Sequence, residues 1–316
     1  MIERPDADAL MAGPLGQWLS EQNADRTAAK AKARTIQIWA VIAAAGVALV
    51  VTLLGSIEAA LKFGFFVGAA GFGIAEWSKR GVINRLKGGI NGAIAQALGL
   101  EFSAEMSPGL AFQWAEAFKL LPGYDNSHFE DMWSGEIAGR PFVLHEARLT
   151  EERGSGKSRR TVTVFEGSLM QVGFARQFLG TTLVERQGRR KRFGLFGEKE
   201  ELDLGGVRLS RCDMADPRFE DAFTVWSNDQ VEARYLVHPE YMERLVAIEQ
   251  AFSGDNIRAL FREGELLIVM ESGNMFESGS LDAEDDRHLL ERTIAQFGAL
   301  ADLAARLNER ARPGFN

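Results

Sequence analysis

IQIWAVIAAAGVALVVTLLGSIEAALKFGFFVGAAGFGIAEW, residues 36–77, is the stretch on which the reading of the whole chain turns. Its first run, Ile36 to Leu54, holds only Gln37 and Thr52 as polar side chains. At about 1.5 Å of rise per residue, such a helix nearly covers the roughly 30 Å of hydrocarbon in a bilayer. The second run, Ala59 to Trp77, is accompanied by Glu58, Lys62 and Glu76, all within about two turns of an end, where a long side chain reaches the headgroups. Gly55 and Ser56 make the turn between them. Folding back there brings Trp39 and Trp77 toward one interface, as half of an aromatic belt. A helical hairpin inside a soluble core is the alternative, but an uninterrupted apolar run without a polar face gives a soluble domain little reason for such a helix.

Working outward, Lys30, Lys32 and Arg34 precede the first span, and Lys79, Arg80, Arg85 and Lys87 follow the second, while the turn is nearly bare. The positive-inside bias then predicts a multi-pass inner-membrane protein with both termini cytoplasmic. Gly64 and Gly68, Ala69 and Gly73, and Ala44 and Ala48 are small residues at spacing four, which predicts close helix packing within the hairpin or between copies. The amino terminus carries Glu3, Asp6 and Asp8 before any apolar run, the reverse of a signal peptide, so the first span is expected to stay as an anchor.

The 316 residues leave room for one sizeable soluble domain, and 46% hydrophobic content permits a core. A net charge of −8 argues against a nucleic-acid partner and makes any basic surface local. The single cysteine, Cys212, excludes an internal disulfide and paired-cysteine metal or redox motifs.

The organisation expected along the chain is a segment 1–34, a transmembrane hairpin 35–78, juxtamembrane helices 79–122, a cytoplasmic α+β domain 123–281 and a carboxy-terminal helix 282–316. Val82, Ile83, Leu86, Ile90, Ile94 and Leu98 recur at helical spacing, as a helix on the bilayer surface or a connector docked on the soluble domain. Ser107 and Pro108 open a helix that Pro122 stops. Strands are predicted at 142–149, 161–170, 181–186, 207–211, 223–226, 257–262 and 265–271, the last two joined by Glu263 and Gly264 as a two-residue hairpin link. Such spacing predicts an antiparallel sheet. Ser227 with Gln230 reads as a capping box, His238 and Pro239 as the start of another helix, and Asp282 as the start of the last one, with Glu284, Asp285 and Asp286 suiting its dipole.

The order Phe165, Glu166, Gly167, Phe174, Phe178, Gly180, Thr181, then Asp216, Pro217, Phe219 and Phe223, leads to Asp229-Gln230-Val231-Glu232-Ala233-Arg234-Tyr235. Over roughly residues 105–280 this resembles the bacterial membrane-protein family catalogued as Domain of Unknown Function 3137. The resemblance implies a helical hairpin ahead of a soluble domain, and it implies no activity. Physically, Gln230 suits capping, Tyr235 core packing, and Glu232 or Arg234 an ion pair.

No catalytic, cofactor-binding or metal site is signalled. Gly156, Lys157 and Ser158 end like a phosphate loop, but Glu151 stands where that motif needs glycine, and a strand rather than a helix follows. His128, His145, His238 and His288 lack partners at ligand spacing. The candidate contact surface is basic: Lys157, Arg159 and Arg160 in one loop, and Arg189, Arg190, Lys191 and Arg192 in another, followed by Phe193 and Phe196. If the strands at 142, 161 and 181 form a meander, both loops share one end of the sheet. They then suit anionic phospholipid headgroups, a protein or nucleic-acid partner, or simple solvation as charged loops.

The expected role is a membrane-anchored binding or scaffold module, whose partners are the bilayer and a protein partner or another copy of itself. An enzyme at the membrane surface would need His145, Glu146, Asp229 and Glu232 gathered in a pocket. A small oligomeric pore would need more intramembrane polar residues than the hairpin holds.

Overall fold

The computed structural model describes residues 4–174, 177–189, 200–214, 217–237, 241, 243, 245–246 and 254–309. The side chains at 157, 218–219, 255, 299–301 and 303–309 are outside the description. The chain is α+β and divides into two compact units. One comprises Pro5–Ala93 with Glu277–Arg292, and the other Met1–Arg4, Ile94–Phe276 and Thr293–Asn316.

The first unit is helical: α1 (Ala7–Ala12), α2 (Pro14–Glu21), α3 (Asn23–Leu53) and α4, which begins at Ile57 and runs unbroken to Ala97. Leu54 caps α3, and Gly55, at φ +93°, makes the reversal that any side chain would strain. Both helices are long and apolar enough to cross a membrane. Gly64 lies against Ala44 and Ala48, Gly68 against Ala44, and Gly71 against Ala40, so these glycines let the two backbones approach. A Cβ on Gly71 would fall 2.1 Å from that of Ala40, whereas Gly73 faces open space and Ala69 is exposed. Of the two small-residue pairs on α4, Gly64 and Gly68 thus serve the hairpin. Gly71→Val is expected to cost roughly 1–3 kcal/mol through overpacking, and Gly73→Val close to nothing, as thermal melts of the detergent-solubilised chain would register.

The amphipathic segment from Val82 onward continues α4 without a break, and its Leu86 and Ile90 are fully buried. Part of the cover comes from α2, whose Trp18 ring sits against Gly89 and whose Leu15 and Leu19 are buried.

The second unit is built on a ten-stranded sheet in the order β1-β2-β3-β4-β10-β9-β5-β8-β7-β6. The strands are β1 (Leu100–Glu105), β2 (Asn126–Ile137), β3 (Arg140–Arg153), β4 (Arg160–Gly173), β5 (Thr182–Arg186), β6 (Glu201–Leu204), β7 (Val207–Cys212), β8 (Phe223–Ser227), β9 (Asp255–Arg262) and β10 (Glu265–Glu271). Every neighbouring pair is antiparallel. The β9–β10 link is the expected one: Arg262 pairs with Glu265, and Glu263 and Gly264 have φ of +53° and +81°. The simple meander is not found, because β10 and β9 stand between β4 and β5.

One face of the sheet is covered by α5 (Leu110–Ala117), whose Phe112, Ala115 and following Phe118 pack on Leu149, Leu169, Leu183, Trp226, Leu260 and Leu267. This helix starts at a Gly109 cap, two residues later than Ser107 suggests. On the opposite face Trp133 stacks near Phe276 and Phe297, with ring centroids 5.2 and 4.9 Å away, and Tyr241 lies 5.3 Å from Phe261. Phe297 belongs to the last helix, α8 (Asp286–Glu309), which follows a 3-10 turn at Ala283–Asp285. Covered on both faces, the central strands read as continuous apolar runs, as in β10. The short helices α6 (Pro217–Glu220) and α7 (Gln230–Leu236) flank β8. The helix expected from His238 and Pro239 begins outside the described residues.

Candidate functional site

The basic residues named from the sequence are placed unequally. Lys157 lies in a 3-10 turn, Gly156–Ser158, inside the β3–β4 hairpin. No helix follows it, so the phosphate-loop reading has no support there. Arg159 pairs with Glu152, and exposed Arg160 stands opposite Arg153 in the ladder. Arg189 turns inward: its Nη2 donates to the carbonyls of Lys119 and Leu120 at 3.3 and 3.2 Å, and its Nε lies 3.9 Å from Glu185. Arg190, Lys191, Arg192, Phe193 and Phe196 lie outside the described residues. Strand polarity still sets the loop after β3 and the chain leaving β5 at the same end of the sheet, three strand positions apart from β4 to β5.

Beneath Arg189 is a polar cluster that the sequence did not announce. The chain leaves α5 through Lys119, at φ +54°, which points carbonyls at the sheet. Arg258, 2% exposed on β9, donates to the Leu120 carbonyl and pairs with Glu271. Its cross-strand neighbour Glu185 accepts from the Trp226 indole at 3.2 Å. Burial lowers the Arg258 pKa, opposed by Glu271 and then Glu185. Two guanidiniums thus satisfy carbonyls past the end of α5, a capping arrangement rather than a catalytic one.

The carboxylates and histidine that an enzyme would need are spread among separate tasks. Asp229, not Ser227, caps α7, accepting from the N–H groups of Val231 and Glu232 at 3.1 and 2.9 Å, while Ser227 ends β8. Glu232 accepts from the N–H groups of Leu179 and Gly180 at 3.0 and 2.7 Å, holding the loop before β5. Arg234 donates to the Asp213 carbonyl, and Gln230 to that of Arg211. Tyr235 is 58% exposed and does not join the core, because α7 turns Ala233 and Leu236 inward instead. Glu232→Gln, which replaces one acceptor oxygen with a donor facing an N–H, is expected to cost about 2 kcal/mol in urea unfolding.

His145 and Glu146 point to opposite faces of β3, as strand alternation requires. Glu146 accepts from the Met275 N–H at 2.7 Å. His145 is buried with neither ring nitrogen hydrogen-bonded, and burial lowers its pKa to about 4. Among the described residues no group of three His, Cys, Asp or Glu could hold a metal. A groove of about 600 Å³ lies beside β3 and β4, lined by Tyr124, Asp125, Glu151, Arg153 and Thr163 among others. Four of its polar side chains are engaged: the Tyr124 hydroxyl donates to Glu116, Asp125 accepts from the Glu152 N–H, and Arg153 pairs with Glu151. Burial and then the Glu116 contact push the Tyr124 pKa up to about 12.

Among the described residues a further set of ion pairs lies in the helical unit and was missed from the sequence, which assigned the acidic run to the helix dipole. Residues 277–286 touch α3 and α4 as a strap. Glu277 pairs with Lys87 at 2.6 Å, Asp282 with Lys30 at 2.5 Å, and Asp286 with Arg26 at 2.9 Å. Ser278 donates to Asn91 at 2.7 Å, and Gly279 approaches the Ile83 carbonyl so closely that a Cβ would fall 2.3 Å from it. The Arg26–Asp286 pair is buried, and the Arg26 Nε and Nη1 have no hydrogen-bond partner. Burial raises the Asp286 pKa against the pull of Arg26.

Residues 163–309 match the family model described as "Protein of unknown function (DUF3137)", the family whose resemblance the sequence carries at 165–235. The match begins later than residue 105 and continues through α8. Comparison with curated proteins gives no match. Among solved structures, the crystal structure of the mycobacterial trehalose monomycolate transport factor A, TtfA, is similar at 13% identity with a TM-score of 0.35, covering 73% of this chain and 99% of that one.

Proposed function

We propose that the chain is a membrane-anchored scaffold: the α3–α4 hairpin crosses the bacterial inner membrane twice, both termini are cytoplasmic, and the sheet domain holds a protein partner or another copy near the leaflet. The observation that carries this reading is where apolar surface lies. Of the twenty exposed large apolar side chains among the described residues, sixteen fall between Ile38 and Trp77. Left in water, a continuous apolar surface of that kind drives aggregation or association, and a bilayer removes it. The dispersal of Asp229, Glu232, Glu146 and His145 among capping, loop and core positions favours a scaffold over an enzyme.

The test is integration. The full chain is expected to stay with membranes through an alkaline wash and to leave them only with detergent, and tags at the two ends are expected to share the cytoplasmic compartment. Val50→Arg places a charge at a position that is 57% exposed. In lipid it is expected to cost roughly 2.5–3.5 kcal/mol and reduce the integrated fraction, whereas on a water-facing helix it would be nearly neutral. Recovery of the intact wild-type chain in a detergent-free supernatant would end this reading.

A further inference from the structure

The cations flanking the hairpin are not equivalent, and the structure sorts them. Arg26, Lys30 and Lys87 are taken by the strap, Arg85 pairs with Asp25 at 2.7 Å, and Lys79 pairs with Glu76 at 2.6 Å. Lys32, Arg34 and Arg80 remain, all exposed, with no carboxylate at ion-pair distance among the described residues. The helix contacts show that these three stand at one level. Ala40 meets Gly71, and at about 1.5 Å per residue Arg34, Lys32 and Arg80 lie roughly 9, 12 and 13.5 Å from that contact. Exposed Trp39 and Trp77 lie on the same side of that contact, roughly 1.5 and 9 Å from it, so Trp77 is level with Arg34 at the edge of the apolar surface. At the opposite tip Lys62 pairs with Glu58 at 2.6 Å, so the unpaired charge is confined to one end.

We propose that Lys32, Arg34 and Arg80 form a collar that binds anionic phospholipid headgroups around the hairpin, distinct from the basic loops of the sheet domain. The proposal rests on the membrane-anchored reading. The arrangement suits a diacyl lipid: the chains lie along the apolar helix faces, the phosphate meets an unpaired cation, and the indoles sit at the headgroup boundary. The strap sharpens the collar, because it neutralises the cations farther from the apolar surface and leaves these three for lipid.

The test is quenching of Trp39 and Trp77 by chain-brominated lipid, with the full chain in phosphatidylcholine vesicles containing a minor fraction of phosphatidylglycerol. The bromine is carried by one lipid at a time, and the signal of the two indoles is isolated by difference from W39F/W77F. A single cation at the surface is worth about 1 kcal/mol, or about fivefold in local concentration. At low salt, brominated phosphatidylglycerol is therefore expected to quench about fivefold beyond its share of the lipid, and less at high salt. K32Q/R34Q/R80Q is expected to bring that ratio close to one, and R85Q, altering a paired cation, to leave it unchanged. Quenching by both lipids in simple proportion to their amounts overturns the collar and leaves the anchor standing. A fivefold preference that survives in the triple variant overturns the assignment to these residues. Absence of quenching by either lipid overturns the anchor itself.

Discussion

Arg26→Ala is expected to destabilise the helical unit by roughly 3–5 kcal/mol, because it leaves the Asp286 carboxylate buried without its counter-charge. Most of that cost is the penalty of the orphaned ion rather than the net worth of the pair. Two consequences follow for denaturant unfolding of the detergent-solubilised chain. First, R26M/D286L, which removes both charges and keeps apolar volume, is expected to recover most of the loss. Second, the penalty depends on pH. Burial already raises the Asp286 pKa in the presence of Arg26, and removing Arg26 raises it further. A carboxyl whose folded pKa lies above its unfolded value contributes stability below the unfolded value, and that contribution is lost as pH rises through the folded one. The Arg26→Ala deficit should therefore shrink on acidification. A deficit that is constant with pH, or that the double variant leaves untouched, would show that Asp286 is solvated once Arg26 is gone.

Acid should act in the opposite sense on the sheet domain through His145. Its imidazole is buried, lies 6.1 Å from the Phe129 ring, and has its pKa lowered from 6.5 to about 4 by burial alone. The folded state holds the neutral ring while the unfolded chain takes a proton near 6.5, so this stability is whole above that pH. It is lost as pH falls from 6.5 toward 4, and the slope ends once both states are protonated. At 1.36 kcal/mol per unit the total is about 3 kcal/mol. His145→Leu is expected to flatten unfolding free energy over that window. A wild-type slope that persists in His145→Leu would place the sensitivity elsewhere.

The parts of the fold legible in the sequence were those where one local pattern suffices. The hairpin reads from apolar length and a Gly55 turn, and the β9–β10 link from Glu263 and Gly264 between apolar runs. The strands β1, β2 and β6 were not legible. β1 and β6 are the sheet's edges, short and half polar, and β2 breaks its own alternation at Asp131, where φ is +55° and the register shifts between Glu130 and Trp133. Sequence distance hid the charge networks in the same way. Nothing local in Arg189 says that it reaches Lys119 and Leu120, and nothing in Asp286 says that it meets Arg26, 260 positions earlier. The one available signal was a pair of complementary runs, basic at 26–34 and acidic at 277–286, which an inventory of single motifs does not join. For Tyr235 and Ser227 the type of residue misled, because position on a short helix decided exposure and cap.

The strap also imposes an order in time. On the membrane-anchored reading, the hairpin leaves the ribosome about two hundred residues before Asp286, which at roughly 5–20 residues per second is a delay of about 10–40 s. Throughout that interval Arg26, Lys30 and Lys87 carry their charge without the carboxylates that later cover them. Insertion therefore meets a more cationic nascent chain than the finished protein presents, and a ribosome stalled before residue 277 would leave a hairpin already threaded but not yet latched.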